Sequence, residues 1–522
     1  MSKTKLILLS SLFMVLFYNY TFFVKSYAVF HSYPFMLSLG VSLFLFISLL
    51  IVLFDTKWSL KPFIVLFFLV GSITAYFTNQ YGVIIDDKMV QNSFETDLSE
   101  TLGLFNLKLL TYFLLLGIFP SLLVIKSKIN YCNFYKNILY KFKMIFLILL
   151  LLLTNIYLFS KAYTSFAREY KILRFQTIPT YPIYSFFYYI NEKYLKKPIP
   201  FTKIGTDAKL IKSDGKPKLF VFILGEAARW DHFSINGYKR DTNPILEKDK
   251  EITTLKKFFS CGTETAVSVP CMFSDLTRAN YSDKKAKHRS SLIDILNYAG
   301  VNVAWIDNNS DSKGVAVRIK NYVNIKDSCH GECRDEKLLE VMKKFVKNGK
   351  TTFIVLHQMG SHGPEYYKRT DEEFKKFKPE CKTNQLQKCS KESIVNAYDN
   401  TIVYTDYFIS KVKEYLKTKQ KDFKVALWYA SDHGESLGEK GIYLHGLPYF
   451  IAPEAQKHPA SVLWFDDDFG VKNECVKILE NKRLSQDNIF SSVLGVMDVK
   501  TKVYNQSLDM FKKCYQDRDG KN

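Results

Sequence analysis

Long apolar runs near the N-terminus constrain the fold of this chain more than any other feature. Five of them follow one another, at residues 6–23, 35–54, 62–77, 109–125 and 144–159. Each is close to the roughly 20 residues that a helix needs to cross a bilayer. We reject a cleaved signal peptide for the first run, because no small-residue cleavage site stands out after it and further runs follow. The sequence therefore predicts a membrane domain of five helices over residues 1–160.

The charges between these runs predict how the chain is oriented. Lysines precede the first run, and more lysines lie between the second and third runs and between the fourth and fifth. Residues 78–108, by contrast, carry several acidic side chains. Because lysine and arginine are retained on the cytoplasmic side, we expect a cytoplasmic N-terminus. Five spans then place everything after residue 159 outside the cytoplasm.

The cysteines of the C-terminal part form three close pairs in the sequence. A structural zinc site is the alternative to disulfides, but the pairs are not in CxxC form and histidines are not interleaved at finger spacing. The spacing favours short-loop disulfides in an oxidising compartment, in agreement with an external domain. The expected pairs are Cys261 with Cys271, Cys329 with Cys333, and Cys381 with Cys389. Cys475 and Cys514 are candidates for a fourth, long-range pair.

The formal net charge of +21 does not by itself indicate nucleic-acid binding. The basic residues are spread over the chain and are not gathered with aromatic residues in one element. A solvated surface, or an external face beside anionic lipid head groups, explains them. Residues 161–217 begin with an aromatic-rich segment of the kind found at membrane interfaces, and we interpret them as an interfacial connector.

From residue 218 onwards, short apolar runs alternate with helical stretches and polar loops. The runs at residues 219–224, 301–306, 352–356, 425–430 and 461–465 are predicted to be buried strands. This pattern predicts an α/β sandwich around a mainly parallel sheet over residues 218–522. Ligands of such folds bind at the carboxyl ends of the strands.

Potential metal ligands follow two of these predicted strands. Glu226 comes after the first strand, and Asp432 and His433 come after the fourth. A single carboxylate in such a place is often a helix cap, but two carboxylates and an imidazole suit zinc or another divalent ion. Such an ion would take the hydroxyl of Thr265 as its fourth ligand and lower the pKa of that hydroxyl. A helix predicted to begin there offers N–H groups to a phosphate, so Thr265 is the predicted phosphoryl acceptor.

Short motifs along most of the chain resemble one known family. They are Gly225-Glu226, residues 261–265 and 268–274, Asp307 to Gly314, His357, Gly360 to Pro364, Ser431 to Ser436, and Tyr443 to Gly446. Together they resemble the lipid A phosphoethanolamine transferases, including the mobile colistin-resistance enzymes. The resemblance implies an alkaline-phosphatase/sulfatase-like α/β domain on a five-helix membrane domain. It also implies a bacterial inner-membrane location, a periplasmic catalytic domain and a link to polymyxin resistance.

The resemblance also assigns roles to individual residues. It implies that Glu226, Thr265, Asp432 and His433 bind the catalytic zinc and that Thr265 is the covalent nucleophile. Lys313, His362 and His445 are expected to assist catalysis, and the two histidines are candidates for binding further zinc. The resemblance implies the following substrate-binding residues: Asn92, Thr96, Glu100, Asn309, Lys313, His357, His362 and His445.

The implied reaction has two steps, and its expected partners are membrane lipids. Thr265 attacks the phosphorus of phosphatidylethanolamine and releases diacylglycerol, and a phosphate of lipid A or another envelope acceptor then takes the phosphoethanolamine. We expect a monomer with no nucleic-acid partner, in which His362 or His445 protonates the leaving group. Phosphoglycerol transfer by an enzyme of the same superfamily is the alternative. For single residues, His357 is equally well interpreted as a core histidine, and Glu435 as a residue that orients His433.

Overall fold

The chain divides into two compact units. The computed structural model describes residues 2–81, 84–86, 89–90, 107–129, 131, 134–195, 199–211, 215–329, 332–383, 386–439, 442–447, 449–450 and 452–516. The first unit is Met1–Pro198 and the second is Ile199–Asn522.

Apolar helices make up the first unit. Their bounds are α1 Lys3–Tyr18, α2 Tyr20–Phe30, α3 Tyr33–Leu53, α4 Leu60–Tyr81, α5 Leu107–Tyr112, α6 Phe119–Lys126, α7 Phe134–Leu158, α8 Ser160–Arg168, α9 Lys171–Arg174 and α10 Thr180–Ile190. A π-helical segment, Phe113–Ile118, joins α5 to α6. Within the described residues, four helices are long and apolar enough to cross a membrane, and a fifth span results if the bent pair α1 and α2 is counted as one. The five predicted runs correspond to these helices.

The first predicted span is broken, which the sequence did not indicate. Helices α1 and α2 meet at an angle of 66°, and Asn19 lies at the break. Its side-chain Nδ2 donates to the carbonyls of Met14 and Ile178, at 3.0 and 2.8 Å, and its Oδ1 accepts the N–H of Ile178 at 2.8 Å. Asn79 of α4 accepts the N–H of Thr21 at 3.1 Å. These side-chain amides replace helical hydrogen bonds, so the break leaves few backbone groups unpaired in an apolar environment.

The division between the two compact units falls within residues 161–217, the predicted connector. Residues up to 198 belong to the first unit, where the hydroxyl of Tyr163 lies 2.7 Å from that of Ser42 in α3. Residues from 199 onwards belong to the second unit. There the N–H of Thr202 donates to the carbonyl of His288 at 2.7 Å, and the N–H of Ile204 donates to the hydroxyl of Ser290 at 3.2 Å.

The second unit is built on a seven-stranded sheet. Its strands are β1 Lys218–Gly225, β2 Thr253–Thr254, β3 Asn302–Asp307, β4 Tyr322–Asn324, β5 Thr352–His357, β6 Lys424–Ser431 and β7 Ser461–Phe465. Their order is β2-β7-β6-β1-β5-β3-β4. Strands β6, β1, β5, β3 and β4 are parallel, whereas β7 is antiparallel to both of its neighbours. The prediction of a mainly parallel sheet is confirmed, and all five predicted strands are present within two residues of their expected ends.

Helices cover both faces of this sheet. Their bounds are α11 Thr265–Met272, α12 Asp283–Lys287, α13 Leu292–Tyr298, α14 Glu336–Met342, α15 Lys391–Lys417, α16 Glu454–Lys457, α17 Asn473–Ile478 and α18 Ile489–Val496. Alternate residues of β1 belong to two separate cores: Phe220, Phe222 and Leu224 pack with α13 and α18, and Leu219, Val221 and Ile223 pack with α15. All eight residues of β1 are buried, as expected for a central strand of an α/β sandwich.

Candidate metal centre and nucleophile

The carboxyl ends of four parallel strands meet at one edge of the sheet. Gly225 of β1 is in register with Ser431 of β6, and its neighbour Leu224 is in register with His357 of β5. His357 is in turn in register with Asp307 of β3. The loops that follow these strands therefore begin side by side, and they carry most of the site residues predicted from the sequence.

The four predicted metal ligands converge at this edge. His433 Nε2 lies 3.4 Å from Glu226 Oε1, 3.3 Å from Asp432 Oδ2 and 3.4 Å from the hydroxyl of Thr265. The Thr265 hydroxyl donates to Glu226 Oε2 at 3.1 Å. Within the described part of the chain, the buried oxygens Glu226 Oε1 and Asp432 Oδ2 have no hydrogen-bond donor. Two such oxygens beside an imidazole nitrogen are the donor set of a divalent cation.

The protonation of His433 fits a metal ligand. Its Nδ1 lies 2.8 Å from the carbonyl of Gly434, so Nδ1 carries the proton and donates, and Nε2 presents its lone pair to the carboxylates. Burial raises the pKa of Asp432, and the charge of Glu226 raises it further. Burial alone would lower the pKa of His433, but the charges of Asp432 and Glu226 outweigh it and raise that pKa. Two buried carboxylates in contact are unfavourable without a positive charge, which a bound cation supplies.

The local sequence explains why Thr265 faces this cluster. Thr265 is the first residue of α11, after the extended residue Glu264. The disulfide between Cys261 and Cys271 joins the loop before this helix to the last turn of the helix. Gly262 is required here, because a Cβ at that position would lie 2.8 Å from Val267. The disulfide and the close packing of Gly262 against Val267 therefore fix the start of the helix at Thr265.

A second group of polar side chains lies beside the first. The rings of His433 and His445 are 4.1 Å apart, and His362 is 6.2 Å from His445. Glu435 Oε2 accepts the Nδ1 proton of His445 at 2.7 Å, and Tyr366 donates to Glu435 Oε1 at 2.7 Å. The structure corrects the interpretation of Glu435, which contacts His445 and not His433. The reason is that the residue next to His433 already provides a carbonyl for its Nδ1.

The surroundings of both histidines lower their pKa. Burial, and then the charge of Arg369, lowers the pKa of His362 to about 4. Burial, and then the charge of His433, lowers the pKa of His445 well below its usual value. Neutral imidazoles are suited to binding a metal or accepting a hydrogen bond. A lowered pKa makes either imidazole a less suitable donor of a proton to a leaving group.

The loop after β3 reaches the cluster through Asn309. Its Nδ2 donates to Glu226 Oε2 at 2.9 Å and to the carbonyl of Gln358 at 2.9 Å. Lys313 lies four residues further along this loop, and its ammonium group donates to the carbonyl of Ser310. His357 is fully buried, with its Nδ1 2.9 Å from Asp307 Oδ2. Asp307 Oδ1 also accepts the N–H of Asn309 at 2.8 Å, so Asp307 connects His357 to the loop that carries Asn309.

Three buried side chains that support the site are absent from the sequence prediction. Gln486 accepts the N–H of Cys261 at 2.7 Å and donates to the carbonyls of Ser431 and Asp432, at 3.0 and 2.7 Å. The hydroxyl of Tyr398 donates to the carbonyl of Ala227 at 2.7 Å and accepts the N–H of Arg229 at 2.8 Å.

Asp335 is the third of these side chains. It accepts the N–H groups of Met359 and Gly360 and the side-chain amide of Asn308. It thereby joins the loop that carries Asn309 to the loop that carries His362. No local motif in the sequence signals these three residues, because each acts on loops that are distant in the chain.

The other cysteines of the second unit are also paired in disulfides. The structure contains the disulfides Cys329–Cys333, Cys381–Cys389 and Cys475–Cys514 in addition to Cys261–Cys271. The pairing of Cys475 with Cys514 settles a question that the spacing left open. The predicted substrate-binding residues Asn92, Thr96 and Glu100 lie outside the described residues.

Comparisons with known proteins agree with this architecture. Residues 43–194 match the family model described as phosphoethanolamine transferase EptA/EptB, and residues 218–499 match the sulfatase model. The phosphatidylethanolamine transferase Mcr-2 of Escherichia coli is 40% identical over 476 residues, which cover 87% of this chain and 88% of that protein. The phosphoethanolamine transferase EptA of Escherichia coli strain K12 is 39% identical, with 93% and 91% of the two chains covered.

A solved structure extends the match to the whole molecule. The integral membrane protein lipooligosaccharide phosphoethanolamine transferase A of Neisseria meningitidis superposes with a TM-score of 0.65 at 33% identity. The superposition covers 98% of this chain and 99% of that one. Because the similarity includes the membrane unit and the catalytic unit together, this chain belongs to the phosphoethanolamine transferase family.

Proposed function

We propose that this protein transfers phosphoethanolamine from phosphatidylethanolamine to a phosphate of lipid A, through a covalent intermediate on Thr265. The observation that carries the proposal is the position of the Thr265 hydroxyl. It donates to a buried carboxylate and lies 3.4 Å from the metal-facing nitrogen of His433. A threonine hydroxyl at the first residue of a helix, inside a cluster of buried carboxylates and histidines, is the arrangement expected of an activated nucleophile.

In the first step, the Thr265 oxygen attacks the phosphorus of the donor lipid. The bond from phosphorus to the diacylglycerol oxygen breaks, and diacylglycerol leaves as an alcohol after taking up a proton. The hydroxyl proton of Thr265 leaves along the hydrogen bond to Glu226. A zinc ion bound by Glu226, Asp432 and His433 supplies Lewis-acid chemistry beside this hydroxyl. The N-terminus of α11 offers its first N–H groups to the phosphoryl oxygens.

In the second step, a phosphate oxygen of the acceptor attacks the same phosphorus, the bond to Thr265 breaks, and the Thr265 oxygen takes up a proton released by the acceptor phosphate, which restores the hydroxyl. The neutral His362 and His445 accept hydrogen bonds from the donor's ammonium group or bind a further zinc ion. They act as proton donors only if the charge of a bound phosphate raises their pKa. Asn309 holds Glu226 in place during both steps through its bond to Oε2.

We further propose an inner-membrane protein with a periplasmic catalytic unit that acts as a monomer. Four disulfides in the second unit suit an oxidising compartment, and the lysines between the spans suit a cytoplasmic N-terminus. Each added ethanolamine introduces a positive charge on lipid A, which weakens the binding of cationic polymyxins and leads to resistance.

Mass spectrometry of lipid A tests this function. Cells that express the intact protein should yield lipid A heavier by one phosphoethanolamine unit, and cells that express Thr265→Ala should not. A product that carries glycerol phosphate would instead identify a phosphoglycerol transferase. Unmodified lipid A in cells that hold the folded protein would refute the proposed acceptor. Removal of metal with a chelator should abolish transfer, and zinc should restore it.

A further inference from the structure

A cationic cleft lies at the end of α11 opposite Thr265. Its lining comes from the last turn of α11, from α12, from the N-cap of α13 and from the loop that follows β3. The polar side chains that line it are Ser274, Lys287, Ser290, Ser291, Lys313 and Arg318. No carboxylate belongs to the lining formed by the described residues. The hydroxyls of Ser290 and Ser291 are buried and hydrogen-bonded within the protein, and Lys313 donates to the carbonyl of Ser310, so Lys287 and Arg318 are the cations that the cleft offers to an anion.

The cations differ in how firmly the protein holds them. Lys287 pairs with Asp283 at 3.0 Å, but both side chains are about half exposed, so the pair is weak and readily exchanged for another anion. Arg318 donates to Asp294 through Nε and Nη2 only. In the part of the chain that the structure describes, its Nη1 has no protein partner. Both cations can therefore take an anionic ligand without breaking a strong internal bond.

Local geometry keeps the cleft open. Gly314 has a left-handed φ of +90°, and a Cβ there would lie 3.8 Å from Cγ of Lys287. The stem of Lys287 thus passes over Gly314, and the absence of a side chain at this position leaves room between α12 and the loop. The guanidinium group of Arg318 lies over the ring of Phe201, with its Cζ 4.7 Å from the ring centroid. Phe201 belongs to the segment with which the chain enters the catalytic unit.

The distance to the nucleophile indicates what the cleft binds. Helix α11 runs from Thr265 to Met272, so at about 1.5 Å per residue its two ends are about 10 Å apart, and Ser274 of the cleft lies beyond the second end. A phosphate in the cleft is therefore too far away to react at Thr265. It is close enough to belong to the same acceptor molecule as a second phosphate that does react.

We propose that this cleft binds the non-reacting phosphate monoester of an acceptor that carries two phosphates. Lipid A, a disaccharide with a phosphate at each end, is an acceptor of this kind. Lys287 and Arg318 bind the distant phosphate, and the other phosphate reaches the phosphoethanolamine on Thr265. The proposal rests on the proposed function and assigns the orientation of its acceptor.

The test measures both steps with the full-length protein in detergent micelles. Formation of the adduct on Thr265 is followed by intact mass after addition of phosphatidylethanolamine alone. Discharge of the adduct is then measured with bisphosphorylated and with monophosphorylated lipid A. The wild type should show a KM for the bisphosphorylated acceptor that is about tenfold lower, because the second phosphate contacts two cations.

Charge reversal in the cleft should remove this preference. Lys287→Glu should raise the KM for the bisphosphorylated acceptor about tenfold and leave the KM for the monophosphorylated acceptor nearly unchanged. Lys284→Glu is the matched control, because Lys284 is an exposed residue of the same helix that does not line the cleft. This control should keep the wild-type preference.

Three results would overturn the proposal in distinguishable ways. Equal KM values of the wild type for the two acceptors would refute the cleft and leave the proposed function intact. An equal rise of both KM values in Lys287→Glu would show a general charge effect and no phosphate site. Adduct formation without transfer to either acceptor would refute lipid A as the acceptor, and the cleft proposal with it.

Discussion

Replacement of Gln486 by leucine tests how the nucleophile loop is held against the metal-ligand loop. The side chain is fully buried and connects the N–H of Cys261 with the carbonyls of Ser431 and Asp432. Leucine has a similar volume, so the change mainly removes hydrogen bonds. One buried N–H and two buried carbonyls would then lose a partner, and each costs about 1 kcal/mol or more. We therefore expect a loss of about 3 kcal/mol in the free energy of unfolding.

That loss can be measured as a thermal midpoint. In a unit of this size, about 3 kcal/mol lowers the Tm by about 4 °C. The rate of adduct formation should fall about 100-fold, because small displacements of reacting groups are costly. Gln420→Leu is the control, since Gln420 is partly exposed, its side-chain amide donates to Asp466, and it precedes the end of β6 that is opposite to Ser431. A Gln486→Leu protein with an unchanged Tm and a wild-type rate would refute the argument that this amide couples the two loops.

Three further predictions follow from other buried groups. Burial raises the pKa of Asp406 to about 6, above its unfolded value of about 3.9, so the folded state binds the proton more tightly. Relative to Asp406→Asn, the wild type should therefore lose up to about 3 kcal/mol of stability as the pH rises from 4 to 7. A difference in Tm between the two proteins that does not change with pH would contradict this. Tyr398→Phe removes the hydroxyl that supports the turn after Glu226, and it should weaken zinc binding about tenfold in a chelator competition. Tyr404→Phe, on the same helix, is the control and should leave zinc binding unchanged. Equal zinc affinities of Tyr398→Phe and the wild type would count against this role. Double alanine substitution of Cys261 and Cys271 should lower the free energy of unfolding by about 2–3 kcal/mol and slow adduct formation. Loss of the Cys475–Cys514 disulfide should lower the Tm and leave the adduct rate unchanged. A wild-type adduct rate in the first variant would show that the Cys261–Cys271 disulfide does not position Thr265.

Patterns that are local in the sequence predicted the fold well. The apolar run that became β1 is buried along its whole length, and such a run is recognisable without any knowledge of its neighbours. The break at Asn19 was missed because it depends on Ile178, which lies 159 residues away. A hydropathy pattern records how apolar a segment is, but it does not record which distant backbone groups replace helical hydrogen bonds.

The site shows the same division between local and distant information. Glu226, Asp432 and His433 follow predicted strands directly, so parallel strand order was enough to bring them together. The sequence did not reveal which histidine Glu435 contacts, because two neighbouring residues competed for the same role and only the loop conformation decides between them. Gln486 and Asp335 were missed because a buried amide or carboxylate has no signature in the sequence until its backbone partners are known.

The most direct test of the account is the mass of the protein after exposure to its donor lipid. Full-length wild-type protein with zinc and phosphatidylethanolamine should gain the mass of one phosphoethanolamine group. Fragmentation should place that group on Thr265, and addition of lipid A should remove it. Thr265→Val, which keeps the shape of the side chain but lacks the hydroxyl, should gain nothing. Transfer to lipid A by Thr265→Val, or an adduct on a different residue of the wild type, would contradict the central claim.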